Sequence, residues 1–520
     1  MIQTIVKSGE YYDSITLLQV AQGLSKLKGV EDAAVVMGTP ANKDILKDAG
    51  MLTAEANAAL ADDLIIAVKV AAKAKVDVAA RVDELLKASR APKAESGAAP
   101  KTVSAAAQQL AGANIALVSV AGRYAAGVAR EALNQGLHVF LFSDNVSVED
   151  EIALKMLGRE KGLLVMGPDA GTAILNGVAL GFANAVIPGP VGVVAAAGTG
   201  LQAVTSYLTR MGVGITQGIG TGGRDLSEAV GGITMLEGLK ALQADPTTEV
   251  LLLVSKPPAA AVAEKVLKHL QASNKPAVVC FLGSKSKAVR EAGGIPAATL
   301  EEAAHLAAAL ASGESPEAAL RRLHAQHQAL KKLAKKLVGH LQMQQNDFRG
   351  LFSGGTFCYE SQLILNAMLS KGAVNSNVPV KKKHKLADAH KSIGHTAIDL
   401  GEDEFTVGRL HPMLDPTLRN RRILHEVRDP ETAILFLDIV LGYGAHPDPA
   451  GAAVEAIREA QARLAEERRE VLFIASVCGT DGDPQNASAQ EAKLREAGVI
   501  VLESNAAATR LAGYILDFRF

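Results

Sequence analysis

The chain has 520 residues, 48% of them hydrophobic, with 54 Lys+Arg against 55 Asp+Glu and a formal net charge of −1. That length suits roughly three or four domains, and the charge balance provides no global field to gather nucleic acid or an anionic membrane. Cys280, Cys358 and Cys478 lie far apart without a C-x-x-C pair, which argues against a disulfide framework or a thiolate zinc site.

Residues 1–88 run strand (TIVKS), helix (DSITLLQVAQGLSKL), strand (DAAVVMG), strand (DLIIAVK), helix (VDVAARVDELLKA). This order predicts a small N-terminal α/β domain of ferredoxin-like type. Residues 88–103, ASRAPKAESGAAPKTV, lack periodicity and read as a linker. Over 104–187 the strands NIALVSV, HVFLFS and LLVMG alternate with amphipathic helical stretches, the pattern of a Rossmann-type parallel sheet covered on both faces. Ligands of doubly wound folds gather beyond the carboxyl ends of strands. Gly167, Pro168, Asp169 and Thr172 lie at such an end. Asp169 either orients an anion or a substrate amide, or caps a following helix.

From 188 the chain is duplicated. One copy starts at VGVVAAAGTGLQAV, passes ITQGIGTGGRDLSEAV and ADPTTEVLLLVSKPP, and ends in KPAVVCFLGS. The other starts at RGLFSGGTFCYESQLI, passes HTAIDLGEDEFTVGRLHPMLDPTLRN and RDPETAILFLDIVLGYG, and ends in REVLFIASVCGT. Each copy, 188–312 and 346–520, predicts a flavodoxin-like doubly wound unit, and 315–345 predicts a connecting helix. A lone Gly-Thr-Gly corner is commonly a tight strand-to-helix turn. Two such corners at equivalent places, Gly198-Thr199-Gly200 and Gly354-Gly355-Thr356, point to a paired phosphate site, because helix starts offer unpaired N–H groups and a positive dipole end.

Other strand-end residues extend this candidate site. Gly222, Gly223, Arg224 and Asp225 follow one strand of the first copy; Arg224 either grips a carboxylate or phosphate, or forms a surface pair with Asp225. Arg409, His411, Asp415 and Arg419 occupy the matching stretch of the second copy, expected to be a loop. His411 is a general acid, an oxyanion donor or a structural hydrogen-bonder. Tyr443 and His446 contact bound anion or shape a turn, and Lys256 supplies positive charge at the equivalent strand end. The segment 381–395, KKKHKLADAHKSIGH, carries His384, His390 and His395 at spacings unlike metal motifs and is expected to be a solvated insertion, so no metal site is assigned.

GLLVMGPDAGTAI, the Gly-Thr corners and the strand–Asp-Pro–strand order resemble succinyl-CoA synthetase, the first copy its α-subunit ligase domain and the second the carboxyl-terminal domain of its β subunit. More closely, MGTPANK, LFSDNVSVEDEI, EKGLLVMGPD, GGRDLS, SKPP and TVGRLHPMLDPTLRN resemble FdrA, an acyl-CoA-synthetase-like bacterial family, over nearly the whole chain. The resemblance implies a CoA-binding-type domain at 104–187 and an acyl-phosphate site at both Gly-Thr corners. It also implies a role in oxamate carbamoyltransfer, with inorganic phosphate or carbamoyl phosphate as substrate, CoA as a further ligand, and other transferase subunits or a second copy as partners. The synthetase's phosphate-carrying histidine has no counterpart in FLGSKSKAVREAGGIPAATLEEA (281–303), and no CoA fingerprint opens the chain. An acid–CoA ligase subunit and a non-catalytic scaffold are the alternatives. The absence of a spanning run of about 20 apolar residues, with an acid and two tyrosines where a signal peptide would need an apolar centre, leads to the expectation of a cytoplasmic protein free of nucleic-acid and membrane partners.

Overall fold

The computed structural model describes residues 2–8, 10, 14–25, 27–39, 42–43, 46–47, 49–71, 77–90, 100–406 and 409–519. They belong to two compact units, Met1–Ala99 and Pro100–Phe520. Most of the expected linker, Pro40 and Ala41 of MGTPANK, and Val407 and Gly408 lie outside the described residues.

In the first unit β1 (Ile2–Lys7), β2 (Val30–Met37) and β3 (Leu64–Val70) form an antiparallel sheet in the order β1-β3-β2. Helices Ser14–Ser25 and Val78–Arg90 bury Leu17, Val20, Leu24, Val82 and Leu86 against Leu64, Ile66 and Val68. On the opposite face Ile65 and Ala67 meet Leu46, Met51 and Ala56. Burial on both faces explains why the central strand is a continuous apolar run. The order of elements is the expected one, with a short helix Ala54–Ala58, capped by Thr53, that the sequence pattern did not announce.

The second unit contains three sheets. β4 (Ile115–Val118), β5 (His138–Leu141) and β6 (Val165–Met166) are parallel. The first lobe has the order β13-β12-β11-β9-β10-β7-β8, from β7 (Thr172–Leu175), β8 (Val178–Gly181), β9 (Pro188–Ala196), β10 (Ile215–Gly220), β11 (Val250–Ser255), β12 (Ala277–Phe281) and β13 (Ile295–Pro296). The second has β15-β16-β14-β17-β18-β19, from β14 (Asp347–Phe352), β15 (Asn375–Ser376), β16 (Thr396–Asp399), β17 (Thr432–Val440), β18 (Leu472–Cys478) and β19 (Ile500–Leu502). β10-β9-β11-β12-β13 and β16-β14-β17-β18-β19 share one doubly wound order. The duplication read from punctuation is therefore a duplication of topology. A common apolar core joins the lobes: Val193, Val254 and Val278 of one sheet and Phe348, Phe436 and Ile474 of the other close on Val204, Leu208, Phe357, Leu365, Leu511 and Ile515 of the intervening helices.

Four expectations are corrected. A strand, β7, follows Asp169 where a capped helix was one alternative, and the β7–β8 hairpin pairs with β10, so the first lobe's sheet reaches back into 104–187. The 406–420 stretch is not wholly loop, because Arg419 lies on the helix Thr417–Glu426. A helix Val103–Gln109, capped by Thr102, begins where the linker was drawn. The 381–395 segment is not simply solvated: Lys381, Lys382 and Lys383 are exposed, but Leu386, Ala389 and His395 are buried. The connecting helix is Pro316–Leu337, capped by Ser315, with Ala319, Leu323, His327 and Ala334 turned inward at helical spacing.

Candidate functional site

β9 delivers the chain into the helix Gly198–Arg210, and β14 delivers it into the helix Gly355–Met368. The first N–H groups of a helix have no partner within it. At the first corner none of the N–H groups of Gly198, Thr199 and Gly200 finds a protein acceptor among the described residues. Thr172, on the neighbouring β7, is buried with its Oγ1 unpartnered, 3.7 Å from where a Cβ on Gly198 would stand. Four donors thus converge on one recess at the positive end of a helix.

The second corner is braced just before its helix begins, while the N–H groups of Gly355 and Phe357 find no protein acceptor among the described residues. Asp438, buried on β17, accepts the N–H groups of Ser353 and Gly354, each at 2.7 Å. Arg419 donates from Nη1 to Ser353 Oγ at 2.8 Å and to the Asp438 carbonyl at 2.7 Å. The guanidinium and carboxylate therefore brace the turn from behind. The two corners touch: Thr356 N–H points at Thr199 Oγ1 at 3.4 Å, and a Cβ on Gly354 would lie 2.7 Å from Thr199 Cγ2. Convergence, predicted from the repeat, is what the tertiary structure shows, with a carboxylate brace before the second helix that the repeat did not indicate.

Two side chains close in from opposite lobes. A Cβ on Gly355 would collide with Asp399 Oδ2 and lie 3.4 Å from Lys256 Nζ. Asp399 ends β16, and its Oδ1 accepts the Gly401 N–H at 3.0 Å. Burial pushes its carboxyl up to about 7, with Lys256 opposing and Glu402 and Asp438 adding to the rise. His411 Nδ1 accepts the Met413 N–H at 3.2 Å, so the ring hydrogen resides on Nε2, which lies 2.8 Å from where a Cβ on Gly401 would be. Its ring packs 5.6 Å from Phe182, and burial pushes its pKa down to about 4. The lowered value favours the neutral ring near neutral pH, with Nε2–H as donor, and the bond from Met413 N–H is the contact of a structural hydrogen-bonder.

Asp169 adopts a left-handed backbone conformation (φ 55°) in a solvent-reached recess. Desolvation there, reinforced by Asp144 and opposed by Arg224, pushes its carboxyl up to about 6. Gly167 and Pro168 abut Gly222, whose Cβ would strike the Pro168 carbonyl. Gly223 is exposed; Arg224, half-exposed, binds Glu151 Oε2 at 3.0 Å and the Val146 carbonyl at 2.8 Å. Asp225 is withdrawn from any ligand: it is fully buried, pairs with Lys155 at 2.7 Å and accepts the N–H groups of Thr234 and Met235. Its sequence neighbour Arg224 is thus not its partner. Asp415 accepts the Thr417 N–H at 2.9 Å at the start of a helix, a capping role. Arg409 is exposed, its backbone N–H donated to Thr406. Tyr443 is exposed with its N–H on the Ala183 carbonyl, and His446 Nδ1 accepts the Asp448 N–H at 3.1 Å, so both shape the turn after β17. Sequence reasoning missed Asp399 and Asp438. Their signal was a carboxylate inside or ending an apolar strand, AID and LFLDIV, which is rarely buried without a partner.

Three family models match the chain: "CoA-ligase" over residues 351–515, "CoA binding domain" over 187–283, and "AllF, heavy metal-associated domain" over 1–124. The CoA binding match thus runs through the first lobe. The last description names a metal, but residues 1–124 contain neither cysteine nor histidine. No group of three His, Cys, Asp or Glu among the described residues is placed to hold one. The segment does not fit a soft metal ion. The malate–CoA ligase α subunit of Methylorubrum extorquens is 28% identical over 39% of this chain and 70% of that protein. The apo acetyl-coenzyme A synthetase 1 of Ca. Korarchaeum cryptofilum overlays with a TM-score of 0.33 at 15% identity, over 80% of this chain and 85% of that one. YahF of Escherichia coli (strain K12) is 44% identical over 97% of this chain and 96% of its own length. With a relative of that identity along nearly its whole length and with the CoA-ligase and CoA binding matches, the chain belongs to the acyl-CoA-synthetase-like FdrA family.

Proposed function

We propose that this chain is the phosphate-handling subunit of a carbamoyltransferase, converting oxalurate and inorganic phosphate to oxamate and carbamoyl phosphate in allantoin nitrogen breakdown. In that reaction a phosphate oxygen bonds to the carbamoyl carbon, the carbon–nitrogen bond to the oxamate nitrogen breaks, and a proton passes to that nitrogen. The observation that carries the reading is the meeting of two helix starts, one with all its first N–H groups open beside the unpartnered Thr172 hydroxyl. Such a recess holds a tetrahedral oxyanion without needing a covalent enzyme intermediate, in keeping with the absence of histidine from 281–303. His411 Nε2–H, neutral and fixed, is suited to hydrogen-bond the carbamoyl oxygen as charge develops on it.

The second reading is an acid–CoA ligase subunit, favoured by the CoA-ligase and CoA binding matches. Partner subunits, in a hetro-oligomer or with a second copy, belong to either reading, as does a cytoplasmic location; among the described residues no helix is long and apolar enough to cross a membrane. The test combines the full chain with its candidate partner subunits, oxalurate and phosphate. Formation of oxamate and carbamoyl phosphate is expected without nucleotide, and turnover that demands ATP and CoA selects the ligase reading instead.

A further inference from the structure

We infer that Asp399 and Lys256, one from each lobe, are direct ligands of the same anion, Asp399 donating a proton to an anion oxygen and Lys256 supplying the positive charge. The inference rests on the anion-site reading and deepens it. The open donors of the first corner are neutral, and the arginine behind the second corner is occupied by Asp438. Lys256 stands at the junction with its ammonium beside Gly355, within reach of the Tyr359 ring at 6.0 Å but without an ion pair of its own among the described residues. Among the described residues it is a cation at the seam left without an ion pair, able to balance a bound anion.

Asp399 is the partner that makes this arrangement workable. Its Oδ1 is engaged by the Gly401 N–H, which leaves Oδ2 turned to Gly355 and the lysine. A carboxylate in that position repels an oxyanion, whereas a carboxylic acid donates to it. The groups facing it are Lys256 from the end of β11, Glu402 from the following loop, Asp438 from β17, the Cys358 thiol on the Gly355 helix and His411 across Gly401. Burial holds the thiol protonated and His411 neutral. The two acids and the burial outweigh the lysine and leave Asp399 poised at about 7, so that an approaching anion draws a proton onto it.

Sulfate is the suitable probe, because its charge is constant through the range in which phosphate itself titrates. Calorimetric titration of the full chain is expected to show sulfate affinity falling with rising pH above 7, approaching tenfold per pH unit. Asp399→Asn retains a neutral donor and is expected to abolish that slope, and Lys256→Met is expected to weaken binding several-fold below pH 7 and to move the onset of the fall to higher pH, since the lysine no longer opposes protonation of Asp399. A slope that persists in D399N, or an unchanged affinity in K256M, overturns the inference. A wild-type chain that binds neither sulfate nor phosphate instead overturns the anion-site reading beneath it. Infrared difference spectra of the unsubstituted chain at pH 7.5 test the same point without a variant: sulfate is expected to increase the protonated-carboxyl band, and a spectrum unchanged there overturns the proton-donor role.

Discussion

Thr172 and Asp438 illustrate opposite fates for a buried polar side chain. Asp438 answers two backbone donors and is braced by Arg419, so removing it strands both the turn and a buried guanidinium. Asp438→Ala is expected to cost about 3–5 kcal/mol, read as a shifted denaturant midpoint at unchanged slope. Thr172 has the reverse economy, with its hydroxyl buried and answered by nothing in the chain. Thr172→Val keeps the shape and removes an unpaired group, so the stability change is expected to stay within about 1 kcal/mol. Phosphate affinity is expected to fall several-fold in the same variant. Equal affinity in calorimetry would mean that the hydroxyl does not face the ligand.

At the scale of elements, the strand-to-helix corner is the unit that matters, and the two copies use it differently. Both leave first-turn N–H groups without a protein acceptor among the described residues; the second has in addition recruited a carboxylate from a neighbouring strand to brace the two residues before its helix, and turns its Thr356 N–H to Thr199 Oγ1. Their approach depends on a missing side chain: a methyl group on Gly354 falls 2.7 Å from Thr199 Cγ2 and 2.9 Å from the Phe357 ring. Gly354→Ala is therefore expected to push the corners apart, costing about 1–3 kcal/mol and weakening phosphate binding. A fully stable, fully binding variant would contradict the close contact. Both corners, the connecting helix and the order of elements were legible in the sequence, because glycine punctuation and apolar periodicity are local properties. Asp399 and Asp438 were passed over because nothing local distinguishes an acid at a strand end from one aimed at another element's donors.

Across the whole molecule the lobes are fastened by polar contacts as well as by their shared core. Asn184 donates to Asp483 at 2.8 Å and to the Leu441 carbonyl, and Arg210 reaches the Gly479 carbonyl and Glu491. A second buried cluster sits deeper, where Glu360 accepts from the Leu300 N–H and from Asn505 Nδ2, each at 2.7 Å. Burial outweighs those bonds and pushes Glu360 up from 4.5 to about 7. Between these values the folded chain holds a proton that the unfolded chain has released, so this group's contribution to stability declines as pH rises from about 4.5 to about 7 and is level above. Asp399 acts in the same direction, from 3.8 to about 7. Glu360→Gln removes one such contribution, and the loss of stability between pH 5 and pH 8 is expected to shrink by about 1–3 kcal/mol, measured by chemical denaturation at both pH values. An undiminished loss would place the titration elsewhere.

The sequence by itself determined the small N-terminal α/β unit, the Rossmann-type strands, the duplicated doubly wound lobes and the two glycine corners, since each follows from periodicity, punctuation and repetition along the chain. The tertiary structure alone decided that Asp225 pairs with Lys155 rather than Arg224, that the His411 ring packs on Phe182 with Nδ1 on the Met413 N–H, that Asp438 braces the residues before the second helix, and that Lys256 meets Asp399 across the seam. Partnership and desolvation are properties of residues far apart in sequence, and they are fixed only when the chain has folded.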